Sequence, residues 1–174
     1  VISLPMWARS LEYELGAKVQ LIKTGAQKLD RTADFWVTSY GVAVSRQEEL
    51  MTLPPGPLVL DESQALSNPD SKRTQAIYGK ACDGIGGLYQ NSTYCYTLTG
   101  TPMERYIDDM WPQLRAIQPQ LLADHGVLDY EDFLERFTRR AMKQYNPRMR
   151  AVLTVVGSRN EHELHRMLYD ELGV

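Results

Sequence analysis

One short run constrains this chain more than any other feature: Leu58-Val59-Leu60, set between a hard turn, Pro54-Pro55-Gly56-Pro57, and two adjacent acids, Asp61-Glu62. Successive side chains of a strand point to opposite faces, so consecutive apolar residues mark a strand that is covered on both. That environment belongs to the middle of a parallel sheet whose faces carry helices. Neighbouring segments fit the same scheme. Strands are expected at Val1–Pro5, Lys18–Ile22, Phe35–Ser39, Leu58–Leu60 and Tyr94–Leu98. Between and after them lie helical stretches at Trp7–Leu15, from Tyr40 through Glu49, at Ser71–Tyr89 until Gly84, Gly86 and Gly87 loosen it, and at Tyr106–Ile117. Such alternation implies βαβ units, hence an α/β fold with a parallel sheet and helices on both faces.

Beyond Pro119 the pattern changes. Residues 129–144 read as a charged amphipathic helix, Ala151–Val156 as a short strand and Asn160–Leu172 as a last helix. Two units are therefore expected, a sheet-bearing lobe over 1–119 and a mainly helical appendage over 120–174. The whole length of 174 residues suits one domain with a real core. No apolar run is long enough to cross a bilayer, so no membrane partner is expected. The N-terminal residues show neither a charged n-region nor a cleavage pattern, which points to a cytoplasmic or nuclear protein, not a secreted one. A net charge of −3 argues against a surface that is basic throughout, but leaves room for a local basic stripe. Cys82 and Cys95 have no metal-ligand spacing and read as buried or half-buried thiols of a reducing compartment.

In open parallel sheets, functional residues sit just past the carboxyl ends of the strands. Asp61-Glu62 occupies such an exit, where the backbone turns and both carboxylates reach a common space. An Asp there can hold a Mg²⁺-bound water, and a neighbouring Glu can orient or deprotonate an attacking water. The next exit reads Leu98-Thr99-Gly100-Thr101-Pro102. Its hydroxyls and glycine can hydrogen-bond a phosphate, or the acids on the adjacent strand. Either exit alone is also explained by a strand meeting solvent ahead of a helix. As an ordered pair they form the polar set a nucleotide motor needs.

These residues carry a family resemblance. Leu58 to Ala76, LVLDESQALSNPDSKRTQA, resembles motif II and its downstream loop in superfamily-two helicase-like ATPases of the Swi/Snf type. Tyr96 to Pro119, YTLTGTPMERYIDDMWPQLRAIQP, resembles motif III and the following helix. Val1–Leu15 is similar to motif Ia, Val37–Ser45 to motif Ib, and Gly157–Leu168 to the stretch that leads toward the second motor lobe. The resemblance implies a RecA-like first lobe of a DNA translocase that uses ATP and Mg²⁺. It implies that Asp61 serves Mg²⁺ through water and that Glu62 is the catalytic base. Gln64, Thr99, Gly100 and Thr101 would couple nucleotide state to DNA. Pro5, Met6, Thr38, Ser39 and Tyr40 would lie near a bound backbone, and Lys72 and Arg73 would belong to a loop that touches duplex DNA. The second motor lobe of the same parent would be the other partner.

Two substitutions depart from the family pattern. Gln64 stands where the family has His, and an amide makes the same hydrogen bond without titrating. Ser67 stands where lysine is common. No G-x-x-x-x-G-K-[ST] loop occurs within the sequence, and Gly79-Lys80-Ala81 lacks both the glycine spacing and the hydroxyl. The chain by itself is therefore expected neither to bind ATP tightly nor to hydrolyse it appreciably. Glu161, His162 and His165 lack the spacing of a zinc motif, and Trp111 and Tyr89, Tyr94, Tyr96 and Tyr106 read first as core aromatics. A competing reading is a non-catalytic nucleic-acid or protein-binding module. A receiver-like signalling domain, phosphorylated at Asp61 opposite Thr99, fits less well because no acid pair follows Val1–Pro5.

Overall fold

Residues 3–146 and 148–170 are described by the computed structural model. The helices are α1 (Leu4–Leu15), α2 (Tyr40–Ser45), α3 (Gln47–Leu50), α4 (Lys72–Tyr78), α5 (Trp111–Ile117), α6 (Pro119–Asp124), α7 (Tyr130–Phe137) and α8 (Glu161–Asp170). The strands are β1 (Val19–Ile22), β2 (Phe35–Thr38), β3 (Gly56–Asp61), β4 (Ser92–Leu98), β5 (Thr138–Lys143) and β6 (Val152–Ser158). Short 3-10 turns stand at Ser63–Leu66, Leu88–Asn91 and Ile107–Met110.

The expected strand at Val1–Pro5 is corrected: Leu4 and Pro5 open α1, while Val1 and Ile2 lie outside the described residues. Proline suits a first helical turn, where its missing N–H costs nothing. The Ser3 carbonyl accepts the Met6 and Trp7 amides at 2.8 and 3.1 Å, which starts the helix there.

The parallel pairing is present in two pieces. β1 pairs with β2, Ile22 opposite Thr38, and β3 pairs with β4, Leu60 opposite Thr97 and Asp61 opposite Leu98. Each piece buries its own cluster. Ile22, Leu29, Ala43 and Leu50 pack under the first, and Leu60, Leu66, Ile77, Tyr78, Cys82 and Ala116 under the second, with half-buried Leu88 touching both. One face of β3–β4 thus has its core, through Leu58, Leu60 and Cys95. The other face leaves Val59, Tyr94, Tyr96 and Leu98 exposed.

The stretch expected to be helical to Tyr89 ends at Tyr78, because the chain doubles back over it. A Cβ on Gly87 would meet the Ile77 carbonyl oxygen at 2.3 Å and the Gly79 nitrogen at 2.4 Å, so only glycine allows this approach. Gly79 itself has φ +82.

A third cluster joins Ile107, Trp111 and Leu114 to Leu122, Val127, Phe133, Phe137, Leu164 and Met167. It therefore runs across Pro119, with α5 shared between two cores. Residues 129–144 are not one helix: α7 starts from an Asp129/Asp132 capping box, ends at Phe137, and gives way to β5. Thr138 is extended (φ −122, ψ 153), its hydroxyl donating to the Leu134 carbonyl at 2.6 Å. β5 then pairs antiparallel with β6, Lys143 opposite Val152. Arg, Ala, Met and Lys favour helix locally, but the β-branched run in β6 offers a full ladder, and tertiary pairing overrides propensity.

Candidate functional site

Parallel register sets the exits of β3 and β4 side by side. At the first exit the chain reverses through Glu62, whose φ of 51 and ψ of 49 lie in the left-handed region. A non-glycine residue there stores roughly 1–3 kcal/mol of strain unless its surroundings hold it. Here they do. The Asp61 carboxylate accepts the Glu62 amide at 3.0 Å on one oxygen and the Trp7 indole N–H at 2.8 Å on the other. Ser63, fully buried, donates to the Gln113 side-chain oxygen at 3.3 Å, and the Gln113 amide donates back to the Ser63 carbonyl at 3.4 Å. α5 thereby clamps the turn from below.

A relay of hydrogen bonds joins the two exits. The Gln64 amide N–H donates to the Glu62 carboxylate at 2.6 Å, and the Gln64 oxygen accepts the Thr99 hydroxyl at 2.7 Å. The Thr99 oxygen in turn accepts the Thr101 amide at 3.0 Å. The β2 exit is tied in through Tyr40, whose hydroxyl donates to the Asp61 carbonyl at 2.8 Å. Burial, then the neighbouring Asp61 charge, hold the Tyr40 phenol well above the usual tyrosine range, so it stays a donor.

Of the residues read from the sequence, Tyr40, Asp61, Glu62, Gln64, Thr99 and Thr101 come together in this network. Gly100 is exposed between the two threonines. Thr38 and Ser39 lie beside it with their hydroxyls engaged locally: Thr38 donates to the Ile22 carbonyl at 3.0 Å, and Ser39 accepts the Val42 amide at 3.3 Å as the N-cap of α2. Pro5 and Met6 are exposed in the first turn of α1, just before Trp7. Lys72 and Arg73 are exposed behind the Ser71 N-cap of α4. Lys72 lines a depression of about 480 Å³ with Val44, Gln47, Gln75 and Lys80, apart from Asp61 and Glu62.

Three contributors escaped sequence reasoning. Trp7, Ser63 and Gln113 lie inside the family-like segments, yet no local signal marks their part in the network, and Trp7 meets Asp61 across 54 positions of chain. Among the described residues no group of three or more His, Cys, Asp or Glu is arranged to hold a metal. His165 stacks on Tyr169 with centroids 4.1 Å apart. Trp111 is a core residue against Tyr130 and Phe133, whereas Tyr94 and Tyr96 are exposed. Burial pushes the Cys82 and Cys95 thiols up to about 11.

Comparison with known proteins bears on this geometry. The family model described as SNF2-related domain matches residues 10–170. The chromatin-remodeling ATPase INO80 of Cryptococcus neoformans var. neoformans serotype D (strain B-3501A) is 28% identical over 137 residues, covering 79% of this chain and 7% of that protein. The INO80 ATPase of Mycosarcoma maydis is 26% identical over 165 residues, 95% of this chain and 7% of that protein. The chain therefore spans 7% of the length of these curated relatives. A solved SWI2/SNF2 ATPase core of Sulfolobus solfataricus, in complex with double-stranded DNA, superposes with a TM-score of 0.58 at 26% identity. The match covers 79% of this chain and 26% of that one.

Proposed function

The chain belongs to the SNF2-related domain family, and from that membership and the strand-exit geometry we propose that it is part of an ATP-driven motor that moves on duplex DNA. The observation that carries the reading is the relay Glu62–Gln64–Thr99–Thr101, which makes a carboxylate at one exit sense the backbone at the next. A nucleotide that draws on Glu62 disturbs Gln64 and then Thr99, and movement of Thr101 is the output toward DNA. Glu62 is assigned as the base toward an attacking water, held in line by Gln64. Asp61 is assigned to Mg²⁺ through a water. One of its oxygens accepts the Trp7 indole and the other the Glu62 amide, each keeping a lone pair, and a single carboxylate suits a cation that takes its remaining ligands from water and phosphate. When bound, the ion would neutralise charge on the phosphates.

Thr38, Ser39, Tyr40, Pro5 and Met6 are assigned to the side of the lobe nearest the DNA backbone, with Lys72 and Arg73 as a second contact. The lobe is taken as residues 1–119 and the appendage as 120–174, leading toward a second motor lobe of the parent. A nuclear or cytoplasmic setting follows from a DNA partner. No helix among the described residues is long and apolar enough to cross a membrane.

The nucleotide cradle does not fit these residues, because no phosphate-loop pattern occurs in the sequence. DNA-stimulated ATP hydrolysis by the gene product that carries these residues tests the reading. Glu62→Gln should abolish turnover while leaving duplex binding intact, and a variant that still turns over at the parent rate sinks the assignment. The 174-residue chain alone should show Mg²⁺-ATP turnover no higher than background. Duplex binding with no hydrolysis in any longer product would favour the binding-module reading instead.

A further inference from the structure

The β5–β6 ribbon is unlike the rest of the molecule. Residues 138–158 hold five cations, Arg139, Arg140, Lys143, Arg148 and Arg150, and no acid, in a chain whose net charge is −3. Every described residue from Ala141 to Leu153 is exposed, so the ribbon projects from the body. Its root is anchored. Arg140 pairs with Glu131 and reaches Glu135 at 3.8 Å, and Phe137 and Thr138 are buried. Its far end is ordered by the Gln144 amide donating to the Met149 carbonyl at 2.8 Å and by Asn146 accepting the Arg148 amide at 3.0 Å. Around those cations stand Met142, Tyr145, Met149 and Leu153, each more than half exposed. Exposed apolar residues rimmed by charge mark an interaction surface. Lys143, Arg148 and Arg150 meet no acid among the described residues, and a cluster of such cations specifies a polyanion.

We propose that the β5–β6 ribbon is a further duplex-DNA contact of this chain, with Lys143, Arg148 and Arg150 on backbone phosphates and Tyr145 and Met149 against the groove wall. A two-stranded antiparallel ribbon has the cross-section that the major groove admits. Arg140, already paired at the root, positions the ribbon and is not a phosphate ligand. The inference rests on the duplex-DNA reading above for its ligand, and on none of the strand-exit residues.

The test uses the 174-residue chain, a labelled duplex of about 30 base pairs, and a titration of salt. A triple variant, Lys143→Gln, Arg148→Gln and Arg150→Gln, should weaken duplex binding at least about tenfold near 0.1 M salt, and lower the salt slope by roughly 2–3. A control of equal net charge, Lys23→Gln, Lys28→Gln and Arg166→Gln, should leave both unchanged, and both variants should keep the parent's thermal midpoint. Lys72→Gln with Arg73→Gln reports on the contact assigned above to the start of α4. If that pair abolishes binding while the ribbon triple does not, the ribbon is not a contact and the motor reading survives. Loss in the ribbon triple alone supports the ribbon and removes the Lys72 and Arg73 contact. Equal losses in the charge control overturn the proposal in favour of bulk charge. Binding of polyglutamate as tight as of duplex, lost in the same triple, overturns it in favour of an acidic protein partner. Self-association of the parent chain that the triple abolishes overturns it in favour of a second copy.

Discussion

The Gln64–Thr99 link sets a measurable coupling between the two strand exits. Replacing Gln64 by Ala removes the donor to the Glu62 carboxylate at 2.6 Å and the acceptor of the Thr99 hydroxyl at 2.7 Å. A hydrogen bond to a charged group is worth about 1.5–3 kcal/mol when buried, and solvent screening at this half-buried carboxylate brings it to about 1. The neutral bond to Thr99 adds about 1 more, so Gln64→Ala should cost about 2 kcal/mol. Thr99→Val keeps the shape but loses the donor to Gln64 and the acceptor of the Thr101 amide, for a similar cost of about 2 kcal/mol. The double variant counts the shared bond once, giving about 3 kcal/mol and a coupling of about 1. For a chain of this size each kcal/mol lowers the thermal midpoint by roughly 2–4 °C. Urea unfolding of the four proteins at one pH, followed by tryptophan fluorescence and far-ultraviolet dichroism, measures the cycle. Costs that add to within about 0.3 kcal/mol would refute the relay, since unconnected sites behave that way.

Asp108 has a buried carboxylate oxygen that meets no hydrogen-bond partner among the described residues, and burial raises its pKa. A raised carboxyl favours the folded state at low pH, and that contribution is lost as pH rises through the folded value. Asp108→Asn should therefore raise the thermal midpoint at pH 7, with the gain shrinking toward pH 4; an equal gain at both would contradict the burial argument. Gly87→Ala should destabilise by about 3 kcal/mol or more, because its Cβ would meet backbone atoms that cannot move aside. A midpoint within a few degrees of the parent would show that the 79–87 loop opens without cost. The thiols of Cys82 and Cys95, pushed up to about 11 from 9.0, should react with iodoacetamide at pH 8 far more slowly in the folded chain than in urea. Their raised values favour the folded state below about pH 9, and that stability should fade between pH 9 and about 11.

Much of the site was legible because its signals are local. An apolar strand that ends in Asp61-Glu62, and another that ends in Thr99-Gly100-Thr101, announce themselves by composition and order, and parallel register then sets them side by side. The N-caps Ser39, Ser71 and Asp129 are equally local, since each bonds an amide three residues on. What no window of sequence contains is the partner supplied from elsewhere. Trp7 on the Asp61 carboxylate and Gln113 around Ser63 are contacts across about 50 positions, fixed only when α1 and α5 pack beneath the exits. The segment after Phe137 shows the same limit most plainly. Its residues favour a helix taken alone, and it becomes a strand because β6, nine or more positions onward, provides the ladder that satisfies its backbone. Sequence alone therefore determined the α/β class, the family and the acids at the strand exit. The tertiary structure decided how those acids are held, and that the basic residues beyond them line a projecting ribbon. Hydrogen-bond ladders and packing reward distant pairs that local preference cannot see.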